Sequence, residues 1–166
     1  MSEVPVTMIE LLLLDADGTL WDHPDLSSLA RPFKRESEGT ITDRNGVVVT
    51  LRPGAKETLR ELRRRGVATA LVTWNRPEYV AEGLKAFGIA DLFDYVRAED
   101  SPDKHLLIAR LMEELKETGR AVSPERVLYV DDRTLHLEKT REVVGPVRFL
   151  QFGVDVKRFE EILLLD

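Results

Sequence analysis

The sequence predicts an α/β fold: a mostly parallel sheet between two layers of helices, with a small β-hairpin inserted after the first strand. Three observations predict it. Short apolar runs alternate with stretches of helical period along nearly all of the 166 residues. The apolar runs are near-continuous, as strands buried on both faces require. One long interruption, residues 22–51, separates the first apolar run from the first helical stretch and carries a hairpin signal of its own.

The strands come in order. Residues 9–14 (IELLLL) end at Asp15, and residues 67–73 (VATALVT) follow Gly66. Residues 127–130 (VLYV) end at Asp131, and residues 147–152 (VRFLQF) follow Gly145-Pro146. Residues 95–98 are a shorter candidate. Helical periods lie between them. Residues 53–65 open on Pro and stop at Gly66. Residues 78–87 stop at Gly88, and residues 103–118 stop at Gly119. Residues 134–144 and 156–165 complete the set.

A plain strand-to-helix loop has about 2–6 residues, so residues 22–51 are an insertion. Within it, residues 40–43 and 47–51 flank Arg44-Asn45-Gly46, and Asn-Gly in that setting marks a hairpin. The expected organisation is one core domain over residues 1–166, with residues 22–51 as a flap over the mouth of the sheet.

Composition narrows the function classes. Hydrophobic residues make up 43% and charged residues 33%, the balance of a globular chain. No apolar run approaches the roughly 18 residues of a membrane span, and the first ten residues lack the basic start of a signal peptide. The expectation is a cytoplasmic protein with no membrane partner. Without cysteine, disulfides, thiolate catalysis and zinc–thiolate sites are excluded. A net charge of −6 disfavours nucleic acid as a partner. Arg63, Arg64 and Arg65 read instead as the cationic last turn of a helix. A single Gln (Gln151), two Asn (Asn45, Asn75) and many Arg and Glu suit a thermostable protein.

Ligands of an open parallel sheet bind beyond the carboxyl ends of its strands, and four polar signals sit there. Asp15 and Asp17 are two apart on an extended chain, so both can face one site. Their repulsion calls for a cation, and Mg2+ prefers such oxygens, although Mn2+ suits them too. Thr73 ends its strand and can donate to a phosphoryl oxygen. Lys104 opens a helix and can neutralise both a phosphoryl group and a carboxylate. Asp131 and Asp132 offer further oxygens to the metal. Together these residues suit phosphoryl transfer. Asp15 would attack phosphorus and form an aspartyl-phosphate. Asp17 would protonate the leaving oxygen and then activate water.

The order Asp15-Ala16-Asp17-Gly18-Thr19, then Thr73, Lys104 and Asp131-Asp132 resembles the haloacid dehalogenase-like superfamily of phosphatases. Thr19-Leu20-Trp21 and the short hairpin look most like its magnesium-dependent phosphatase subgroup, which has a minimal cap. The resemblance implies a Rossmann-like three-layer sandwich. It makes Asp15 the nucleophile, Asp17 the acid/base, Thr73 the phosphate-binding hydroxyl and Lys104 the charge neutraliser. Asp131 becomes a metal ligand and Asp132 a second-sphere or water-linked one, and the metal also takes the Asp17 main-chain carbonyl. The subgroup often has Arg then Thr or Ser after the motif Thr. Here Thr73 precedes Trp74, Asn75 and Arg76, which puts substrate choice on those three residues and the hairpin.

Alternatives differ in class. A signalling receiver domain also groups acids, Thr and Lys, but in the reverse chain order. A non-catalytic phosphate-binding relic would be expected to have lost an Asp or the Lys. A phosphotransferase or mutase would share every motif. The substrate is a phosphorylated small molecule or a phosphotyrosine-type group, and the oligomeric state is open. His23, His105 and His136 show no metal spacing, with His23 nearest the flap. Trp21 can either pack under the flap or line the pocket.

Overall fold

The computed structural model describes residues 8–165. The signal-peptide reading rests largely on residues 1–7, outside the described residues. Five strands form one parallel sheet: β1 (Leu11–Leu14), β5 (Ala68–Trp74), β6 (Tyr95–Glu99), β7 (Val127–Asp131) and β8 (Arg148–Gln151). Their spatial order is β6-β5-β1-β7-β8. The chain thus starts in the middle, runs outward to one edge, then returns to fill the other side. The order reverses beside β1, which creates a crevice at the carboxyl ends of β1 and β7.

Side chains of a strand alternate between faces, and β1 divides its four leucines accordingly. Leu12 and Leu14 enter a core with α1 (Ala55–Arg64) and α2 (Pro77–Phe87). Leu11 and Leu13 enter a second core with α3 (Lys104–Glu117) and α4 (Leu137–Val144). All four are essentially unexposed, each worth about 1.5–3 kcal/mol of burial. The three-layer sandwich follows. Helix α1 buries Ala55, Leu59 and Leu62, the i, i+4, i+7 stripe of an amphipathic helix.

The insertion holds a separate antiparallel sheet of β2 (Lys34–Ser37), β3 (Thr40–Thr42) and β4 (Val48–Thr50). The turn between β3 and β4 is closed by Asp43. Its carboxylate accepts from the N–H groups of Ala30, Asn45 and Val47 at 2.8–2.9 Å. Gly46 takes the left-handed φ of +85° that this turn needs. Ile41 and Val49 carry the sheet into the core shared with α1 and α2. The sheet therefore sits against the α2 side of the molecule, and Pro24 is the insertion's contribution to the pocket described below.

Two elements differ from expectation. Strand β2 (KRES) is exposed throughout and has no apolar signal to read; charge on an edge strand guards it against further pairing. The segment expected as a helix over 156–165 is a 3-10 helix, Phe159–Leu165. Phe159 and Ile162 are its buried residues. A spacing of three puts them on one face of a three-residue turn.

Candidate active site

Asp15 lies one residue beyond β1, where its N–H still donates to the Val130 carbonyl at 3.0 Å. Asp131 closes β7. Because β1 and β7 are neighbours, the two carboxylates meet across the crevice. Lys104, the first residue of α3, reaches between them. Its ammonium donates to Asp15 Oδ1 at 2.6 Å and to Asp131 Oδ2 at 3.0 Å. Lys104 and Asp131 are each only 1% exposed and Asp15 only 5%. A charge that deep persists only when paired on the spot.

Asp132 completes an acidic cluster. Carboxylate oxygens of Asp15, Asp131 and Asp132 all lie within 4.8 Å of one another. Thr19 locks two of them together. Its hydroxyl lies 3.1 Å from both Asp15 Oδ2 and Asp132 Oδ1, and it accepts the Asp132 N–H at 2.9 Å. Gly18 passes directly beneath at φ +77°, where a Cβ would stand 2.6 Å from Asp132 Oδ2. Only glycine meets both demands. Three carboxylates face one ammonium here. Hard oxygens with that charge surplus fit a divalent cation of the Mg2+ type.

The electrostatics follow from burial. Burial pushes the Asp15 carboxyl from 3.8 up to about 8; Lys104 opposes this, while Asp131 and Asp132 add to it. Burial also works against the charge on Asp131, but Lys104, the Tyr129 hydroxyl and the Arg133 N–H outweigh it and hold that carboxyl low. Tyr129 donates to Asp131 Oδ2 at 2.5 Å as a neutral phenol, its own ionisation pushed up by burial and by Asp131. Burial pulls Lys104 down, yet Asp15 and Asp131 more than reverse this and keep it charged.

Asp17 is held apart from that cluster. Trp21 Nε1 donates to its Oδ1 at 2.8 Å, the Leu26 N–H to the same oxygen at 3.2 Å, and Asn75 Nδ2 to its Oδ2 at 2.5 Å. Burial raises the Asp17 carboxyl, and these three bonds only moderate the rise. Asp15, Asp17, Pro24, Thr73, Trp74, Lys104, Asp132 and Arg133 enclose a cavity of about 130 Å³.

A family model described as haloacid dehalogenase-like hydrolase matches residues 25–135. The chain belongs to this family. The match begins after Asp15 and Asp17, so the first motif rests on its own sequence and geometry. Among curated proteins, the chain is 33% identical over 86 residues to magnesium-dependent phosphatase 1 of Homo sapiens, covering 52% of this chain and 48% of that one. It is 34% identical over 115 residues to a phosphoglycolate phosphatase of Vibrio vulnificus, covering 66% and 48%. The matched stretch thus spans about half the length of these relatives. The fold matches a phosphatase-domain fragment from Bacteroides fragilis complexed with Mg at a TM-score of 0.67 and 17% identity, covering 96% of this chain and 40% of that one. It also matches a subfamily IA hydrolase of the superfamily from Geobacter sulfurreducens at 0.65 and 19%, covering 95% and 100%.

Within this family frame, the sequence-predicted residues separate into three groups. Asp15, Asp17, Thr73, Trp74, Lys104 and Asp132 line the cavity, with Asp131 directly behind, bonded to Lys104. Asn75 is buried behind Asp17, bridging it to Asp25 at 3.3 Å. Arg76 lies outside, paired with Glu78 at 3.0 Å and set over the Tyr79 ring. The Asp17 carboxylate is not one of the three converging acids; its expected metal contact was the main-chain carbonyl. Trp21 is fully buried, stacks on Phe87 and touches Asp17. His23 does not line the cavity; its carbonyl accepts the Gly18 N–H at 2.9 Å.

Several contributing residues were not anticipated. Thr19 was quoted in the first motif without a role; its place four residues after Asp15, at the turn leaving the strand, was the available signal. Tyr129 offered one too, two residues before Asp131 on the same strand face. Pro24 gave none.

Proposed function

We propose that this chain is a Mg2+-dependent phosphatase that hydrolyses phosphomonoesters through an aspartyl-phosphate on Asp15. The observation that carries this reading is Lys104 bonded to both Asp15 and Asp131 at the floor of a cavity that Asp17 and Thr73 also line. Asp15, Asp131 and Asp132 would hold the cation, together with the Asp17 main-chain carbonyl that the family resemblance supplies. When bound, it offsets the repulsion between an anionic ester and an anionic nucleophile.

The chain's own residues do the rest. Lys104 fixes Asp15 Oδ1 and Thr19 contacts Oδ2, so the nucleophile cannot rotate away. An Asp15 oxygen bonds to phosphorus as the bond from phosphorus to the ester oxygen breaks. Asp17 gives that departing oxygen its proton; its raised pKa favours carrying one. Water then attacks the phosphorus of the aspartyl-phosphate, passes a proton to Asp17, and frees Asp15 and inorganic phosphate. Thr73 and Lys104 bind the phosphoryl oxygens, and a cytoplasmic setting supplies the phosphorylated metabolites or phosphotyrosine-type groups that fit.

The test is the initial rate of p-nitrophenyl phosphate hydrolysis with Mg2+ and then with excess chelator. Turnover that depends on the metal is expected. Equal rates in both conditions would remove the metal from the mechanism.

A further inference from the structure

The cavity changes character from floor to rim. Asp15, Thr73 and Lys104 at its floor are buried, whereas Pro24, Trp74 and Arg133 are exposed. Its volume is about 130 Å³. A phosphoryl group bound to Lys104 and Thr73 sits at that floor. The remainder of an ester must leave past the rim, so rim chemistry selects the leaving group.

Two rim groups are unspent. The Arg133 backbone is anchored, its N–H donating to Asp131 Oδ1 at 3.0 Å. Its guanidinium makes no hydrogen bond or ion pair among the described residues. Arg76, Arg97 and Arg110, by contrast, each pair with a glutamate. Beside it, the Trp74 indole is 38% exposed and is set edge-to-face against the buried His136 ring at 6.3 Å. A planar guanidinium fork matches carboxylate or phosphate bidentately, and an indole covers a short carbon frame.

We propose that Arg133, with Trp74, selects phosphomonoesters whose leaving group carries a second anion, a carboxylate or a further phosphate. This rests on the phosphatase reading and names the substrate class of the same site. The leaving group's far anion meets Arg133 while its phosphoryl group meets Lys104 on the floor.

The experiment compares kcat/KM with Mg2+ for three esters of a three-carbon frame. Glycerol 3-phosphate and 3-phosphoglycerate differ only in a hydroxymethyl against a carboxylate; glycerol 1,3-bisphosphate carries a second phosphate on that hydroxymethyl instead. The native chain should prefer one anionic ester over glycerol 3-phosphate by roughly tenfold or more. Arg133→Ala should reduce that preference to about twofold or less, and Arg133→Lys should keep part of it. Whichever anionic ester carries the preference identifies the anion. No preference in the native chain, or one that survives Arg133→Ala, overturns the proposal while hydrolysis of p-nitrophenyl phosphate leaves the phosphatase reading standing. No turnover of any of these esters overturns both.

Discussion

At the scale of the residue, the site is a contest between burial and charge. Asp15 is a poor place for an anion: burial raises its carboxyl more than Lys104 lowers it, and Asp131 and Asp132 add to the rise. Asp15→Asn keeps the shape and removes one repelling charge. It should lower turnover of p-nitrophenyl phosphate by at least about 10³-fold, while the melting temperature of the metal-free protein holds or rises by roughly 2–4 °C. Rate assays and thermal unfolding of the same preparation check both. Gly18 makes a separate prediction. Because an added Cβ would meet Asp132 Oδ2 at 2.6 Å, Gly18→Ala must displace Asp132. Titrating activity with Mg2+ should show an affinity roughly 10–100-fold weaker, with a smaller change in rate at saturating metal.

At the scale of the element, most of the architecture was legible. The strands of the main sheet are buried on both faces, so their apolar runs announce them, and glycines end three of the helical periods. Asp15, Asp131, Thr73 and Lys104 could be placed because each stands at the end of a strand or the start of a helix. What was hidden has a common cause. Strand β2 is polar throughout and exists because β3 pairs with it. The ties from Trp21 and Asn75 to Asp17 depend on how the first loop packs against the end of β5, which no local pattern encodes. The expected flap over the mouth reduces to Pro24, since Ile41 and Val49 anchor the small sheet in the core beside α2. That position carries its own prediction. Backbone donors, Ala30 first and then Val47, Asn45 and Gly46, hold the Asp43 carboxyl below its ordinary range, with burial opposing them. Asp43→Ala should lower the melting temperature at neutral pH yet leave Mg2+-dependent turnover within about twofold. The native side chain's contribution is present above its unfolded pKa and is lost as pH falls through its folded one, so the two melting curves should converge in acid.

At the scale of the whole molecule, strand order places opposing acids on neighbouring strand ends, and the fold tolerates this strain for the sake of the site. A carboxyl whose folded pKa is raised binds its proton more tightly in the folded state. For Asp15, stability of the metal-free protein should therefore fall as pH rises from about 3.8 to about 8. A bound cation cancels that repulsion, so the gain in melting temperature on adding Mg2+ should be larger near about pH 8 than near about pH 5. Thermal unfolding at both values, with metal and with chelator, reads this directly.

The measurement that bears most directly on Asp15 is rapid acid quenching during turnover of p-nitrophenyl phosphate, followed by peptide mass analysis. A phosphoryl increment on the peptide containing Asp15, absent from Asp15→Asn, is the predicted result. Turnover with no phosphorylated peptide, or with the phosphoryl group on another residue, would contradict it.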